Sequence, residues 1–177
     1  MLTAKSPATF YMKKNTESDL KKAEKILGFS IPKDLHDFYI NVNIMVYPYN
    51  TYSMNGEQYH IYRFESLFDY ISISERGEWN IGGLISTSLE ISKDPDFPIN
   101  KGLFFAISDF GDLFYVSADE ETFGNVFYFP IEIQNDGEEN KPVFLSENFS
   151  TFFNNLEASE ESMADYIRTC GAVDREL

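Results

Sequence analysis

The strongest constraint on the fold is a pair of apolar, aromatic-rich runs separated by a short polar turn. Residues 103–107 and 113–116 have the composition of strands, and residues 108–112 between them contain two aspartates and a glycine. Aspartate side chains bond to nearby backbone in turns, and glycine accepts a positive φ. A third apolar run follows at residues 125–129 and stops at a proline. These runs predict three strands of an antiparallel sheet.

Helical patterns flank these strands on both sides. After Thr16, apolar residues follow helical spacing up to Gly28, and Pro32 then opens a second helix. Further along the chain, Ser146 is predicted to cap a helix whose apolar face consists of Phe149, Phe152, Phe153 and Leu156. Helices grouped before and after the strands predict an α+β fold. We expect a central, mostly antiparallel sheet flanked by an N-terminal helix pair and a C-terminal, Phe-rich helix.

Weaker patterns complete the prediction of secondary structure. Residues 59–64 alternate like a strand, a short helix is expected after Ser66, and a short strand is expected within residues 81–85. A further helical stretch is expected around residues 163–167. Because 177 residues is the usual size of one domain, we expect a single domain over residues 1–177, with residues 1–14 as a candidate flexible segment.

Composition excludes several classes of protein. The single cysteine, Cys170, allows no internal disulfide and no thiolate metal cluster. No apolar run is long enough to cross a membrane, and the first residues lack the apolar core of a signal peptide, so we expect a cytoplasmic protein. The formal net charge of −15 opposes binding to nucleic-acid backbones and to anionic membranes, and it favours a monomer.

The negative charge is concentrated in the second part of the chain. Residues 118–177 contain 14 acidic and three basic residues, whereas residues 1–33 contain seven lysines and three acidic residues. One interpretation is a set of solvated helix faces and loops. The other is a surface that attracts a basic protein partner. The candidate contact residues are two acidic loops on either side of the third strand: Asp119, Glu120 and Glu121 in one, and Asp136, Glu138 and Glu139 in the other.

Signatures of catalysis are missing from the sequence. His36 and His60 are isolated and are expected to be structural or solvent-facing, and no nucleophile elbow, P-loop or zinc-binding pattern occurs. Residues 109–111 spell the Asp-Phe-Gly tripeptide of protein kinases without the other kinase motifs. Asp109 and Asp112 are explained by the turn that they build. We therefore expect a protein without enzyme activity, cofactor or metal.

Aromatic residues are unusually abundant, at 17 Phe and 11 Tyr. A packed sheet absorbs many such rings, and a loop containing Tyr47, Tyr49 and Tyr52 is a candidate for the remainder. These tyrosines either cover the core or serve as rigid anchors for a protein partner.

Three blocks of the sequence together resemble the SUKH superfamily. Residues 22–43 contain a helix, a Gly-Phe-x-Ile-Pro corner and a second helix, as the opening of that superfamily does. Residues 103–116 resemble its central hairpin with a Gly-Asp pair, and residues 143–156 resemble its terminal helix. The matching fold positions are Gly28, Pro32, Gly111, Asp112 and Phe149. One departure occurs after the second helix, where Asn41-Val-Asn43 stands in place of the frequent Asn-Gly-Gly.

The resemblance implies an α+β domain that binds other proteins and has no catalytic residues. The superfamily includes bacterial immunity proteins, which neutralise toxin domains such as nucleases and deaminases, and SMI/KNR-type regulators of fungal cell-wall assembly. We therefore expect an immunity-type protein whose acidic surface docks on a basic toxin domain. The alternative is a regulatory or scaffold protein of the cell-wall-regulator type. The resemblance transfers no partner-binding residue to this chain.

Overall fold

The structure is a computed structural model, and it describes residues 15–41, 49–68, 70–73, 79–94, 97–131 and 140–158. Within these residues the chain forms four α-helices and ten strands, which make three antiparallel sheets. The α+β class predicted from the sequence is confirmed. None of the helices in these ranges has the length and apolarity needed to cross a bilayer.

The elements follow one another in an order of helices, strands and helices with one helix inserted among the strands. They are α1 (Glu17–Leu27), α2 (Lys33–Asn41), β1 (Tyr49–Met54), β2 (Glu57–His60), β3 (Arg63–Phe64), β4 (Tyr70–Ile73), β5 (Trp79–Gly82), α3 (Leu84–Ile91), β6 (Gly102–Ile107), β7 (Leu113–Ser117), β8 (Val126–Phe129), β9 (Val143–Ser146), α4 (Phe149–Asn154) and β10 (Glu157–Ala158).

The N-terminal helix pair is present as predicted. Thr16 caps α1 through a reciprocal capping box with Asp19, in which each side chain bonds to the other residue's backbone N–H. Gly28 ends α1 with a φ of 82°, a conformation that costs glycine little because it has no Cβ. The Ile31 N–H donates to Glu24 Oε1 at 3.0 Å, which fixes the corner between the helices.

The central sheet has five strands in the order β3-β6-β7-β8-β9. Leu103 pairs with Val116 and Ile107 pairs with Leu113, so β6 and β7 form the predicted hairpin. β8 adds to β7 as the predicted third strand. Buried side chains lie on both faces of these two strands. One core cluster contains Phe104, Leu113 and Tyr115, and the other contains Leu103, Phe105, Ala106, Phe114 and Val116.

Helix α4 closes one face of this sheet, as expected for the Phe-rich helix. Phe149 and Phe152 are buried, and their ring centroids lie 5.0 and 5.7 Å from that of Phe105 in β6. The predicted cap is wrong, because Asn148 caps α4 by accepting from the Thr151 N–H at 2.8 Å. Ser146 instead ends strand β9, and the sequence pattern did not separate this strand from the helix that follows it.

The strand expected over residues 59–64 is divided between two sheets. The Ile61 N–H donates to the Asn50 carbonyl, and the next N–H, that of Tyr62, donates to the Ile107 carbonyl. The backbone therefore leaves the β1–β2 hairpin and joins the central sheet at this point. The period-two pattern is correct, since Ile61 and Phe64 are buried and Tyr62 is exposed.

The segment between β3 and β6 differs most from the prediction. The short helix expected after Ser66 is wrong: Tyr70–Ile73 is a strand that pairs with Trp79–Gly82. The strand expected within residues 81–85 ends at Gly82, and α3 follows it. Helix α3 contains β-branched residues and serines and lacks a side-chain cap, so its helical signal is weak. It is held by packing on β6, where the Phe104 N–H donates to Ser88 Oγ. The helix expected around residues 163–167 and the candidate flexible segment 1–14 lie outside the described residues.

A buried carboxylate holds the β6–β7 turn. Asp112 is 7% exposed, and its Oδ2 accepts hydrogen bonds from the Ser108 and Tyr128 hydroxyls at 3.0 and 2.6 Å. Its Oδ1 accepts from the Ile131 N–H at 3.0 Å. Gly111, with a φ of 88°, lets the chain turn back so that Asp112 enters this position. Asp112 therefore links the turn to β8 and to Ile131, the second residue after that strand.

Replacement of this carboxylate is expected to destabilise the protein. In Asp112→Asn the amide group cannot accept all three hydrogen bonds, so at least one buried donor loses its acceptor. We expect the free energy of unfolding to fall by about 1–3 kcal/mol, measured by urea denaturation. Asp109→Asn is the matched control, because Asp109 is exposed in the same turn. Equal stability of the two variants would contradict the role assigned to Asp112.

Three tyrosines are held in their neutral form by the fold. Burial, and secondarily the charge of Glu65, raises the pKa of Tyr39 well above its usual value. Burial together with Asp119 raises the pKa of Tyr115, and burial together with the hydrogen bond to Asp112 raises the pKa of Tyr128. Each phenol therefore ionises more readily in the unfolded chain than in the folded one.

The free energy of unfolding should consequently fall at alkaline pH. Above about pH 10 the unfolded chain releases these protons and the folded chain keeps them, so rising pH favours unfolding by up to about 1.4 kcal/mol per pH unit for each group. Urea denaturation across this range, followed by tyrosinate absorbance, measures the effect. The double variant Tyr115→Phe/Tyr128→Phe should show a shallower decline than the parent chain, and an unchanged slope would refute the explanation.

Candidate protein-docking surface

The first acidic loop forms a short exposed turn between β7 and β8. Asp119 precedes a 3₁₀ turn, Glu120–Thr122, and Glu120 and Glu121 are exposed while Asp119 is half-buried. Phe123, which follows directly, is 50% exposed. Three carboxylates and one aromatic ring are therefore presented together at one end of the central sheet.

Hydrogen bonds to the buried Ser117 hold this turn in place. The Asp119 N–H donates to Ser117 Oγ at 3.2 Å, and the same hydroxyl lies 2.7 Å from the Thr122 hydroxyl. The Gly124 N–H donates to the Ser117 carbonyl at 2.9 Å, and the Asn125 N–H donates to the Thr122 carbonyl at 3.0 Å. Because the backbone is tied at both ends of the turn, the acidic side chains project from a fixed base.

A further acid lies at the same end of the sheet. Ser146 at the end of β9 pairs with Val126 at the start of β8, so the exposed Glu147 follows β9 at the end where the turn lies. The prediction missed Glu147 because strand β9 was not recognised. Lys101 is an exposed base at this end, and its carbonyl accepts from the Ala118 N–H at 2.8 Å. Negative charge predominates among these residues.

Among the other candidate contact residues, Tyr52 is the one whose side chain the structure describes. Asp136, Glu138, Glu139 and Tyr47 lie outside the described residues. Tyr49 is described only through its backbone, which pairs with β10. Tyr52 is 8% exposed, its ring centroid is 4.8 Å from that of Phe152, and its hydroxyl donates to the Leu145 carbonyl at 2.8 Å. Of the two interpretations of these tyrosines, Tyr52 therefore fits the one in which the ring covers the core, and it joins the β1–β2 hairpin to that core.

The two histidines lie on separate elements with separate partners. His36 in α2 has Nε2 3.2 Å from Glu17 Oε2 and Nδ1 3.5 Å from Asp37 Oδ1. His60 is exposed in β2, with Nδ1 3.0 Å from the Thr51 hydroxyl. Among the residues that the structure describes, no three His, Cys, Asp or Glu side chains form a group that could hold a metal ion.

An ion pair next to His36 shifts the pKa values of its own two members. Lys33 and Asp37 bond across one turn of α2. The hydrogen bond from Lys33 lowers the pKa of Asp37 and the same contact raises the pKa of Lys33. Both groups are well exposed, so this pair supports the helix surface and forms no sequestered site.

Comparison with known proteins assigns most of the chain to one sequence family. The model of the SMI1 / KNR4 family (SUKH-1) matches residues 14–155. This range begins just before α1 and ends just after α4, and it includes the whole central sheet. Comparison with curated proteins and with solved structures gives no match.

The role of Ser117 in fixing the acidic turn is testable. Ser117→Ala removes the acceptor of the Asp119 N–H and the hydroxyl partner of Thr122. We expect a loss of about 1–2 kcal/mol in the free energy of unfolding and faster hydrogen exchange at the Asp119 amide. Ser53→Ala, which removes an exposed hydroxyl from β1, is the control. Unchanged exchange at Asp119 would show that the turn is held in another way.

Proposed function

The chain belongs to the SMI1/KNR4 (SUKH-1) family, and on that premise we propose that it is a non-catalytic, immunity-type protein that neutralises a toxin domain. Its partner is a basic, nuclease- or deaminase-like bacterial toxin domain, and neutralisation occurs by protein–protein docking. The observation that carries the proposal is the hydrogen-bonded turn that begins at the half-buried Asp119 and presents Glu120 and Glu121 to solvent. The chain acts without cofactor or metal.

Electrostatics explains how such a turn would select its partner. Enzymes that act on nucleic acids carry basic side chains that bind phosphate groups. Exposed carboxylates on a fixed backbone bind the same basic side chains in place of phosphate groups. Complementary charge also steers association and raises its rate, towards about 10⁸–10⁹ M⁻¹s⁻¹ at low salt. The net charge of −15 supports this long-range attraction to a basic partner.

The arrangement of the histidines supports a role without catalysis. A general base must lie within hydrogen-bond reach of its substrate and is usually oriented by a neighbouring group in a sheltered site. His60 is exposed, and His36 contacts two carboxylates on the surface of the helix pair. These positions suit structural and solvent-facing roles.

A regulatory or scaffold role is the second candidate function. The family that matches residues 14–155 carries the name of SMI1/KNR4 proteins, and the resemblance noted in the sequence extends to regulators of cell-wall assembly. The gene next to this one discriminates between the two functions. A neighbouring gene for a large secreted or toxin-like protein favours immunity, and its absence favours regulation.

Capture and neutralisation together test the immunity function. The purified chain should retain a basic protein from lysate of its own cells at low salt and release much of it at high salt. Expression of that protein alone should arrest growth of a host, and co-expression of this chain should restore it. Glu120→Lys/Glu121→Lys should weaken the complex at least tenfold, because two attractive contacts become repulsive.

The matched control is Glu57→Lys/Glu90→Lys, which reverses the same amount of charge at exposed positions of β2 and α3. This control variant should keep most of the affinity. If the retained protein does not arrest growth, or if this chain fails to restore growth, the immunity function is wrong. If both double variants bind equally, the acidic turn does not contact the partner.

A further inference from the structure

Four aromatic side chains form a continuous row across the face of the central sheet that α4 does not cover. Phe104 of β6 pairs with Tyr115 of β7, Tyr115 pairs with Phe127 of β8, and Phe127 pairs with Phe144 of β9. Their successive ring centroids are 5.3, 5.2 and 5.8 Å apart. Directly paired rings at these distances stabilise one another and fix their orientations.

The row passes from the core into solvent. Phe104 and Tyr115 are 1% and 5% exposed, and they lie in a core cluster with Ile99 and with Phe97 packed against it. Phe127 is half-buried at the edge of that cluster. Phe144 lies beyond it and is 44% exposed. The outer end of the row is therefore a rigid aromatic surface that the described part of the chain leaves uncovered.

Acidic residues border this outer end. Phe127 and Phe144 pair next to Val126 and Ser146, the last pair of β8 and β9. Glu120, Glu121 and Glu147 are exposed at that end of the sheet. Asp119 begins the turn that follows β7, the strand that contains Tyr115. The register thus places the uncovered rings and the carboxylates at neighbouring positions of the sheet.

We propose that this surface, made of Phe127 and Phe144 with the carboxylates of the β7–β8 turn and Glu147, docks arginine side chains of a basic protein partner. A guanidinium group is flat and weakly hydrated, so it stacks on an aromatic ring while it donates paired hydrogen bonds to a carboxylate. An ammonium group offers less contact with the ring. The proposal rests on the proposed function, for which it names the contact surface and the chemistry of the partner.

The negative charge of this surface also indicates which kind of partner it binds. A second copy of this chain would bring the same carboxylates face to face, and the net charge of −15 opposes that contact. An anionic membrane would be repelled for the same reason. A basic partner is the occupant that gains from both the rings and the acids.

The probe for this surface is a blocked peptide in which arginine alternates with glycine, together with the same peptide carrying lysine. Binding to the full chain is measured by fluorescence anisotropy, and the contact site is mapped by amide chemical shifts. We expect Phe144→Leu to weaken the arginine peptide about two- to fivefold and the lysine peptide less. Phe110→Leu is the matched control, because Phe110 is 82% exposed in the turn at the other end of the β6–β7 hairpin.

The contribution of the carboxylates in the β7–β8 turn is tested with the same peptides. Glu120→Gln/Glu121→Gln should weaken binding about fivefold, and the equally charged control Glu57→Gln/Glu90→Gln should weaken it less. Amide shifts should concentrate in residues 115–127 and 143–147. Equal effects of the Phe144 and Phe110 variants, or shifts located elsewhere, would overturn the proposed surface. A dimer of this chain that Phe144→Leu abolishes would overturn it in favour of self-association.

These outcomes separate the surface from the function. If the chain neutralises a toxin but the variants at Phe144 and at the turn bind it normally, the surface is wrong and the immunity function stands. If the arginine peptide binds as described but no captured toxin is neutralised, the surface stands and the immunity function is wrong.

Discussion

Contact between the rings of the central sheet and those of α4 is the interaction on which the rest of the structure depends. Phe105 lies at its centre, with Phe149 and Phe152 edge-to-face against it and Phe64 stacked parallel to it. Each such pair adds about 0.5–1.5 kcal/mol to the gain from burial. Helix α4 has six residues, too few for a stable isolated helix, so these contacts are what keeps it helical. Tyr52 stacks on Phe152 and bonds to β9, and the smaller β1 sheet is thereby attached to the same core.

The parts of the fold that the sequence predicted well are those decided by neighbouring residues. The N-cap at Thr16, the positive φ of Gly28 and the turn that ends at Asp112 all follow from side chains a few positions apart. The acidic turn belongs to this group, because two adjacent strands and a short polar connection are enough to place Glu120 and Glu121 in solvent. The hairpin was therefore recognisable, and so was the outer position of its acids.

The sequence did not predict the elements whose structure depends on contacts between distant residues. The backbone near Ile61 changes sheets because it meets β6, a segment more than 40 residues away, and no local pattern marks that change. Helix α3 forms on β6 in spite of weak helical propensity, and the burial of Tyr52 depends on Phe152 and Leu145. Recognition of Phe144 as a surface ring required strand β9 and its register with β8. An aromatic row assembled from four strands is a property of the sheet, and spacing along the chain carries little signal for it.

Acids and rings would contribute to binding at different distances. Attraction between exposed charges is screened beyond about 8 Å at physiological ionic strength, so the carboxylates of the turn act mainly on the rate of encounter. Ring contact acts only at van der Waals distance and therefore on the lifetime of the complex. The aromatic row suits this second task because its inner members, Phe104 and Tyr115, are locked in the core and hold Phe127 and Phe144 in fixed orientations. A ring that is already immobile loses little conformational entropy when a partner covers it, so more of the contact energy remains as affinity.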